Sequence, residues 1–178
     1  MHRLTARQRL ASTLATVLGT VLLACAAASE EPSLPSAPAF ELPIIANGTG
    51  TYQLESTLRR VTYLDFWASW CGPCRISLPA LNEVYKELQD RGVDVIAVSV
   101  DVVEEDALDF LQRYRVTYPV LIDTQGDVAK AYGVDGMPSG YLIDRSGVIR
   151  DVHRGFRRGD EAMIRQRILA LLETGPAS

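Results

Sequence analysis

The chain has 178 residues, 47% of them hydrophobic and 22% charged, enough for one globular domain with a buried core and a further segment outside it. Eighteen basic residues stand against 22 acidic ones, a net charge of -4; the first 24 residues hold three arginines and no acid, so the remainder carries 15 basic against 22 acidic residues, or -7. An acidic body lacks the positive footprint that a phosphate backbone requires, which argues against nucleic acid as a partner.

At the amino terminus, Arg3, Arg7 and Arg9 precede an apolar run over residues 10–23 and then Ala24-Cys25-Ala26-Ala27-Ala28. That is the architecture of an export signal. Leu22-Leu23-Ala24-Cys25 resembles the bacterial lipobox, in which the chain is cut ahead of a cysteine that is then acylated. Residues 1–24 are accordingly read as a lipoprotein-type signal peptide, with lipidation at Cys25. Two alternatives stay open: cleavage after Ala26 or Ala28 by the ordinary signal peptidase, and a retained anchor, since residues 10–28 approach the length that spans about 30 Å of hydrocarbon. Cysteine arithmetic favours the lipoprotein. An exported chain with three cysteines keeps an odd thiol that scrambles disulfides, and lipidating Cys25 leaves the single pair Cys71 and Cys74.

Residues 25–39, with three prolines and almost no large apolar side chain, are read as a flexible tether, and residues 40–178 as the domain. Residues 40–45 and 51–54 flank Asn47-Gly48, the turn signal of a hairpin. A short helical turn is expected over 55–58. Residues 61–67, β-branched and aromatic, form a central strand, and residues 71–91 a helix that buries Leu78, Leu81, Val84, Tyr85 and Leu88. Pro79 lies inside that helix, removes one backbone bond and angles the first turn against the rest.

Residues 93–100 are a continuous apolar run of buried-strand type, closed by Asp101. Residues 104–114 read as a helix with acids in its first turn and Leu108, Leu111 and Tyr114 on its inner face. A strand over 118–122 and a short helix over 126–132 follow. Pro138 precedes a strand over 140–144, Arg145-Ser146-Gly147 turns the chain into a strand over 148–153, and residues 160–172 make an amphipathic helix. This order predicts an α/β fold with a mixed central sheet and helices on both faces.

Cys71-Gly72-Pro73-Cys74 falls at a strand-to-helix junction, where two cysteines close a small disulfide ring across one turn. Cys71, at the exposed helix start, is the expected nucleophile, because free backbone N–H groups and the helix dipole favour its thiolate. Cys74, one turn in, is the resolving thiol. Asp65 sits mid-strand among Leu64, Phe66 and Trp67, where lost solvation raises a carboxyl pKa. Of the two flanking tryptophans, Trp67 reads as packing and Trp70 as exposed. Zinc has little support: besides the pair there are only His2 and His153, and no second CxxC.

The stretch Phe66-Trp67-Ala68-Ser69-Trp70-Cys71-Gly72-Pro73-Cys74-Arg75, followed by Pro79, Ser99-Val100-Asp101, Met137-Pro138-Ser139 and Leu142-Ile143-Asp144-Arg145-Ser146-Gly147, resembles exported thioredoxin-fold proteins of the TlpA/ResA type across residues 40–172. The resemblance implies a thioredoxin-like fold with an N-terminal hairpin and a central insertion within residues 104–132. It implies a thiol-disulfide oxidoreductase that needs no cofactor beyond the redox-active pair and no metal. Asp65 would be the buried acid that exchanges a proton with Cys74, and Pro138 a cis proline against the disulfide. Met137 would dock an extended client through its backbone, with Trp70, Gly72 and Pro73 completing the substrate surface.

Gly72-Pro73 between the cysteines matches thioredoxin, whose dithiol is reducing. The expected protein is therefore a membrane-tethered, extracytoplasmic monomer that reduces disulfides in client proteins, with cytochrome c maturation as the candidate process. Its electrons would come from a membrane thiol carrier of the DsbD/CcdA type. Departures touch the client: Ser77 stands where many relatives have glutamate, Asp65 where many have asparagine, and Ala97 where thioredoxin has lysine. A disulfide oxidase or isomerase, a copper-delivery module and a peroxidase are the rival functions on this fold. Arg75 and the run Arg150, Arg154, Arg157 and Arg158 read as solvated surface, and His153 as a strand-end residue without a role.

Overall fold

The computed structural model describes residues 34–57 and 59–173. The expected signal peptide, Cys25 and the first part of the expected tether lie outside the described residues. The organising strand is β3 (Val61–Trp67), buried at every position. Its apolar run suits a strand packed on both faces. It pairs in parallel with β4 (Val93–Ser99), which pairs in parallel with β5 (Val120–Ile122), and antiparallel with β6 (Ser139–Ile143). A hairpin of β1 (Glu41–Ala46) and β2 (Thr51–Gln53) adds to β5, and β7 (Ile149–Arg154) to β6, giving the order β2-β1-β5-β4-β3-β6-β7.

Alternation along β3 sorts its side chains to two cores. Val61, Tyr63 and Trp67 enter one, with α1 (Cys74–Leu88), α2 (Glu104–Arg113) and α4 (Asp160–Glu173). Leu64 and Phe66 enter the other, with Phe40, Leu42 and residues of α3 (Asp127–Ala131). The mixed sheet with helices on both faces is as the sequence predicts, and among the described residues no helix is long and apolar enough to cross a membrane.

Four details differ from expectation. The helix after the cysteines begins at Cys74, not Cys71, and its last turn, Gln89–Arg91, is a 3-10 helix. Pro73, with its fixed φ, stands at the helix entry, and Cys71 ends a separate turn over residues 68–71, closed by Cys71 N–H donating to Ala68 O at 3.1 Å. Second, α2 buries Ala107 and Phe110, with Leu111 and Tyr114 packed beside them, while Leu108 lies off that stripe. The Phe110 ring takes the inner position because it packs on Trp67, centroids 5.0 Å apart.

Third, Tyr85 is only half-buried, its ring edge-on to Tyr118. Fourth, residues 35–39 are fixed against the domain, although they were expected to belong to the tether. Pro35 O accepts from Ile149 N–H at 3.0 Å, Ala37 N–H donates to Gly147 O at 2.8 Å, and Tyr132 Oη donates to Pro38 O at 2.9 Å. A proline-rich segment satisfies its few backbone groups this way on a sheet edge. Asn47 behaves as its turn signal suggests: it takes a left-handed φ of 59°, and its amide donates to Val116 O and Tyr118 O.

Candidate active site

The C-terminal ends of β3 and β4 carry the site. β4 ends at Ser99, and Asp101, two residues on, is buried with its carboxylate turned toward the segment after β3. It accepts from Ser69 N–H at 2.9 Å, from Ser69 Oγ at 2.8 Å and from Ser99 Oγ at 2.7 Å. Val100 N–H donates to Trp67 O at 2.9 Å. The residues just ahead of Cys71 are thereby tied to the end of the neighbouring strand, which holds the cysteine turn still while leaving its outer edge open.

Cys71 and Cys74 form a disulfide, Cα atoms 5.3 Å apart. Trp70 is 68% exposed, and Gly72 and Pro73 are exposed, while Cys71 is 4% exposed and Cys74 fully buried. The sulfur at the edge is thus the one a partner reaches first. Cys74 N–H donates to Cys71 Sγ at 3.2 Å. In the reduced protein that contact, at the positive end of α1, stabilises negative charge on Cys71. Trp67, by contrast, is fully buried, as its reading as packing requires.

Asp65 stands two residues before Trp67 on the β3 face that enters the same core as the pair, 2% exposed, with Oδ2 making no hydrogen bond among the described residues. Burial pushes its carboxyl well above the usual carboxylate range. Ser77, one turn beyond Cys74, is also buried with its hydroxyl unpartnered among the described residues. Tyr118 Oη donates to Leu78 O at 3.1 Å; burial first, then the charge of Asp65, holds that phenol well above its ordinary value. Ala97, beside Asp65 in register, brings no charge to this region.

The Met137–Pro138 bond is cis. Ser139 pairs with Phe66, so Pro138 stands at the same end of the sheet at which β3 delivers the cysteine turn. Pro138 is buried, Met137 half-buried, and Gly155 N–H donates to Pro138 O at 2.8 Å. Beside the turn, Ser69, Arg75 and the Asp106, Asp109 and Arg113 side of α2 border a cleft of about 260 Å³. Exposed apolar side chains, Trp70, Ile76, Val102 and Val103, flank this end of the molecule.

The site therefore gathers Cys71, Cys74, Asp65, Trp70, Gly72, Pro73, Met137 and Pro138 at or beneath one end of the sheet, while Cys25 lies outside the described residues. The clamp by Asp101 was not foreseen, although the residue stood in the motif Ser99-Val100-Asp101; an acid closing a buried strand is its only local signal. Tyr118 left none, because its contact with α1 spans 40 positions. Among the described residues no group of three or more His, Cys, Asp or Glu side chains assembles as metal ligands.

Residues 35–152 match the AhpC/TSA family, so the chain belongs to that family of thioredoxin-fold proteins. The most similar relatives include the thiol-disulfide oxidoreductase ResA of Oceanobacillus iheyensis, 34% identical over 122 residues, which cover 67% of this chain and 64% of that protein. ResA of Geobacillus thermodenitrificans is 38% identical over 93 residues, 52% of this chain and 53% of that one. The chain thus spans between about half and two thirds of the length of these relatives. Among solved structures, a protein assigned as thiol:disulfide interchange protein DsbE from Chlorobium tepidum is 41% identical, with a TM-score of 0.75 over 79% of this chain and 97% of that one. One assigned as a protein disulfide isomerase from Bacteroides thetaiotaomicron is 28% identical, with a TM-score of 0.72 over 80% and 91%.

Proposed function

We propose that this protein is a thiol-disulfide oxidoreductase that reduces disulfides in extracytoplasmic client proteins through Cys71 and Cys74. The observation that carries the reading is the disulfide itself, Cys71 at the outer edge of the turn ahead of α1 and Cys74 fully buried, on the sheet face where burial holds the Asp65 carboxyl above the usual carboxylate range. In the reduced enzyme the Cys71 thiolate attacks one sulfur of a client disulfide. That bond breaks, the departing client sulfur takes a proton, and Cys71 is joined to the other client sulfur. Asp65, as carboxylate, then takes the Cys74 proton. The Cys74 thiolate attacks Cys71 Sγ, closes the ring and releases the second client thiol, so two electrons pass to the client.

Trp70, Gly72, Pro73, Met137 and Pro138 would form the client surface, and exchange needs no bound cofactor. A monomer lipidated at Cys25 would work at the outer face of a membrane and be recharged by a DsbD/CcdA-type thiol carrier. The similarity to ResA and DsbE proteins supports that placement, and the CxxCH disulfide of an apocytochrome c is the client class to test first. With residues 35–39 docked, the tether would be confined to residues 26–34.

Trapping tests the function. Cys74→Ser should accumulate clients as mixed disulfides at Cys71, released by reductant and lost in the Cys71→Ser/Cys74→Ser double variant. If no covalent partner accumulates while Cys71 reacts with a thiol reagent, the reductase reading fails. Acyl labelling that disappears in Cys25→Ala is expected for the anchor, and labelling that persists would contradict it.

A further inference from the structure

One row across the sheet links the buried acid to the surface. Asp65 on β3 is paired directly with Gly140 on β6, and Gly140 directly with His153 on β7. Directly opposed residues project from the same face, so Asp65 and His153 flank a position with no side chain. That position is filled by Tyr63. A Cβ on Gly140 would lie 2.0 Å from Tyr63 Oη. Opposed Cβ atoms are about 4.5–5.5 Å apart, so the Tyr63 hydroxyl lies within about 7.5 Å of the Cβ atoms of both Asp65 and His153.

The row grades from buried to wet. Asp65 and Tyr63 are 2% exposed, the His153 side chain 14%, and Asp160, whose Oδ2 is 3.1 Å from His153 Nε2, 27%. Apolar Leu142, Phe156 and Ile164 line the same core. A leucine at position 63 with a larger residue at 140 would fill this space without burying a hydroxyl, a group that costs free energy to desolvate.

We propose that Tyr63 and His153 are positioning residues of a proton path that joins the Asp65 carboxyl, on the sheet face that packs against the cysteine pair, to solvent at Asp160. The inference rests on the thiol-disulfide exchange reading, in which oxidation of the dithiol leaves one proton on Asp65 and re-reduction of the disulfide by a thiol donor takes one up at Cys74. On oxidation, Tyr63 Oη accepts the Asp65 proton while passing its own to the His153 ring, directly or through one water, and His153 gives a proton to Asp160 or solvent. On re-reduction the same path run inward returns a proton to Asp65, which gives it to the departing Cys74 thiolate and is again a carboxylate; no electrons move along the path.

The groups facing Tyr63 are Asp65 on its own strand, Asp151 on β7, Arg167 and Asp160 on α4, and Tyr118 from the segment before β5. Burial first, then the Asp65 and Asp151 charges, hold the phenol well above its ordinary range, with Arg167, itself paired to Asp151, acting the other way. Tyr63 therefore relays a proton and does not store one. His153 meets Asp160 on one side and the edge of Phe156 on another, and an imidazole can take a proton at one ring nitrogen while giving one from the other.

The test is steady-state reduction of insulin disulfides by the full chain with dithiothreitol as reductant, in wild type, Tyr63→Phe, His153→Ala and the double variant. Each single change should slow turnover roughly tenfold at pH 7, less than the loss of a direct acid or base. The reduction potential should stay unchanged. The double variant should be no slower than the slower single one, and added imidazole should restore His153→Ala but not Tyr63→Phe. Unslowed variants, losses that multiply, or no rescue by imidazole would overturn the path while leaving the oxidoreductase reading intact. An inert wild type would overturn both. If Tyr63→Phe does not fold, the imidazole response of His153→Ala decides alone.

Discussion

Asp65 is the residue on which function and stability pull in opposite directions. Its carboxyl is buried without a full set of partners, so the folded protein binds its proton more tightly than the unfolded chain does. The sign follows from linkage: stability from this group is greatest below the unfolded value of about 3.9 and falls as pH rises toward the raised folded value. Asp65→Asn, neutral and nearly isosteric, should therefore be more stable than wild type at pH 8, by roughly 1 kcal/mol for each unit of raised pKa that is relieved. The advantage should vanish near pH 4, and thiol exchange should slow throughout. Urea unfolding at both pH values checks this; an Asn variant equally stable or less stable at pH 8 would show that Asp65 is already ionised at no cost.

A second residue-scale consequence concerns the space over Gly140. A methyl there meets Tyr63 Oη, Cζ and Cε1 at 2.0, 2.4 and 2.9 Å. Gly140→Ala should cost about 1–3 kcal/mol by overpacking. Tyr63→Leu in the same chain should recover part of that loss, a coupling measurable by a double-mutant cycle in urea. Additive losses would mean that the ring does not occupy this space.

Among the elements, the β1–β2 hairpin has a task beyond edge pairing, since its turn holds the segment between α2 and β5. Asn47 donates to two carbonyls there from a left-handed backbone. Asn47→Ala should cost about 3–4 kcal/mol, roughly one for each of the two hydrogen bonds and 1–2 for the backbone. Asn47→Gly, which keeps the backbone relaxed, should cost about half as much, a comparison that urea midpoints make directly. Asp144 acts similarly in the β6–β7 turn. Burial pushes its carboxyl upward, but bonds from Ser146, Val148 and Arg150 prevail and hold it below its ordinary range, so this turn weakens as pH falls through that lowered value.

Elements with a strong local signature were legible from the amino-acid order: β3, from its β-branched and aromatic run, the hairpin, from Asn47-Gly48, and the turn that bears the cysteines. Choices made by distant partners were not. The inner face of α2 depends on Trp67 meeting Phe110, and no period within residues 104–114 encodes that contact. Tyr63 fills the space over Gly140 because β3 and β6 pair in one register, a relation between positions 77 apart. His153 looked like a strand-end residue for the same reason.

At the scale of the whole molecule, a sheet with three parallel central strands delivers one turn with two cysteines to an edge rimmed by exposed apolar side chains, over a core in which Asp65 is buried. Gly72 and Pro73 hold no proton and no charge, and among the described residues the hydrogen bond given to Cys71 Sγ comes from Cys74 N–H. A site with so little to hold the reduced thiolate should favour passing electrons on. The reduction potential of the Cys71–Cys74 couple, measured by equilibration of the full chain with glutathione or dithiothreitol, therefore tests the central claim most directly. A value near that of thioredoxin, about -270 mV, is the result this account predicts; a value near -120 mV, about that of the strongly oxidising members of the fold, would contradict it.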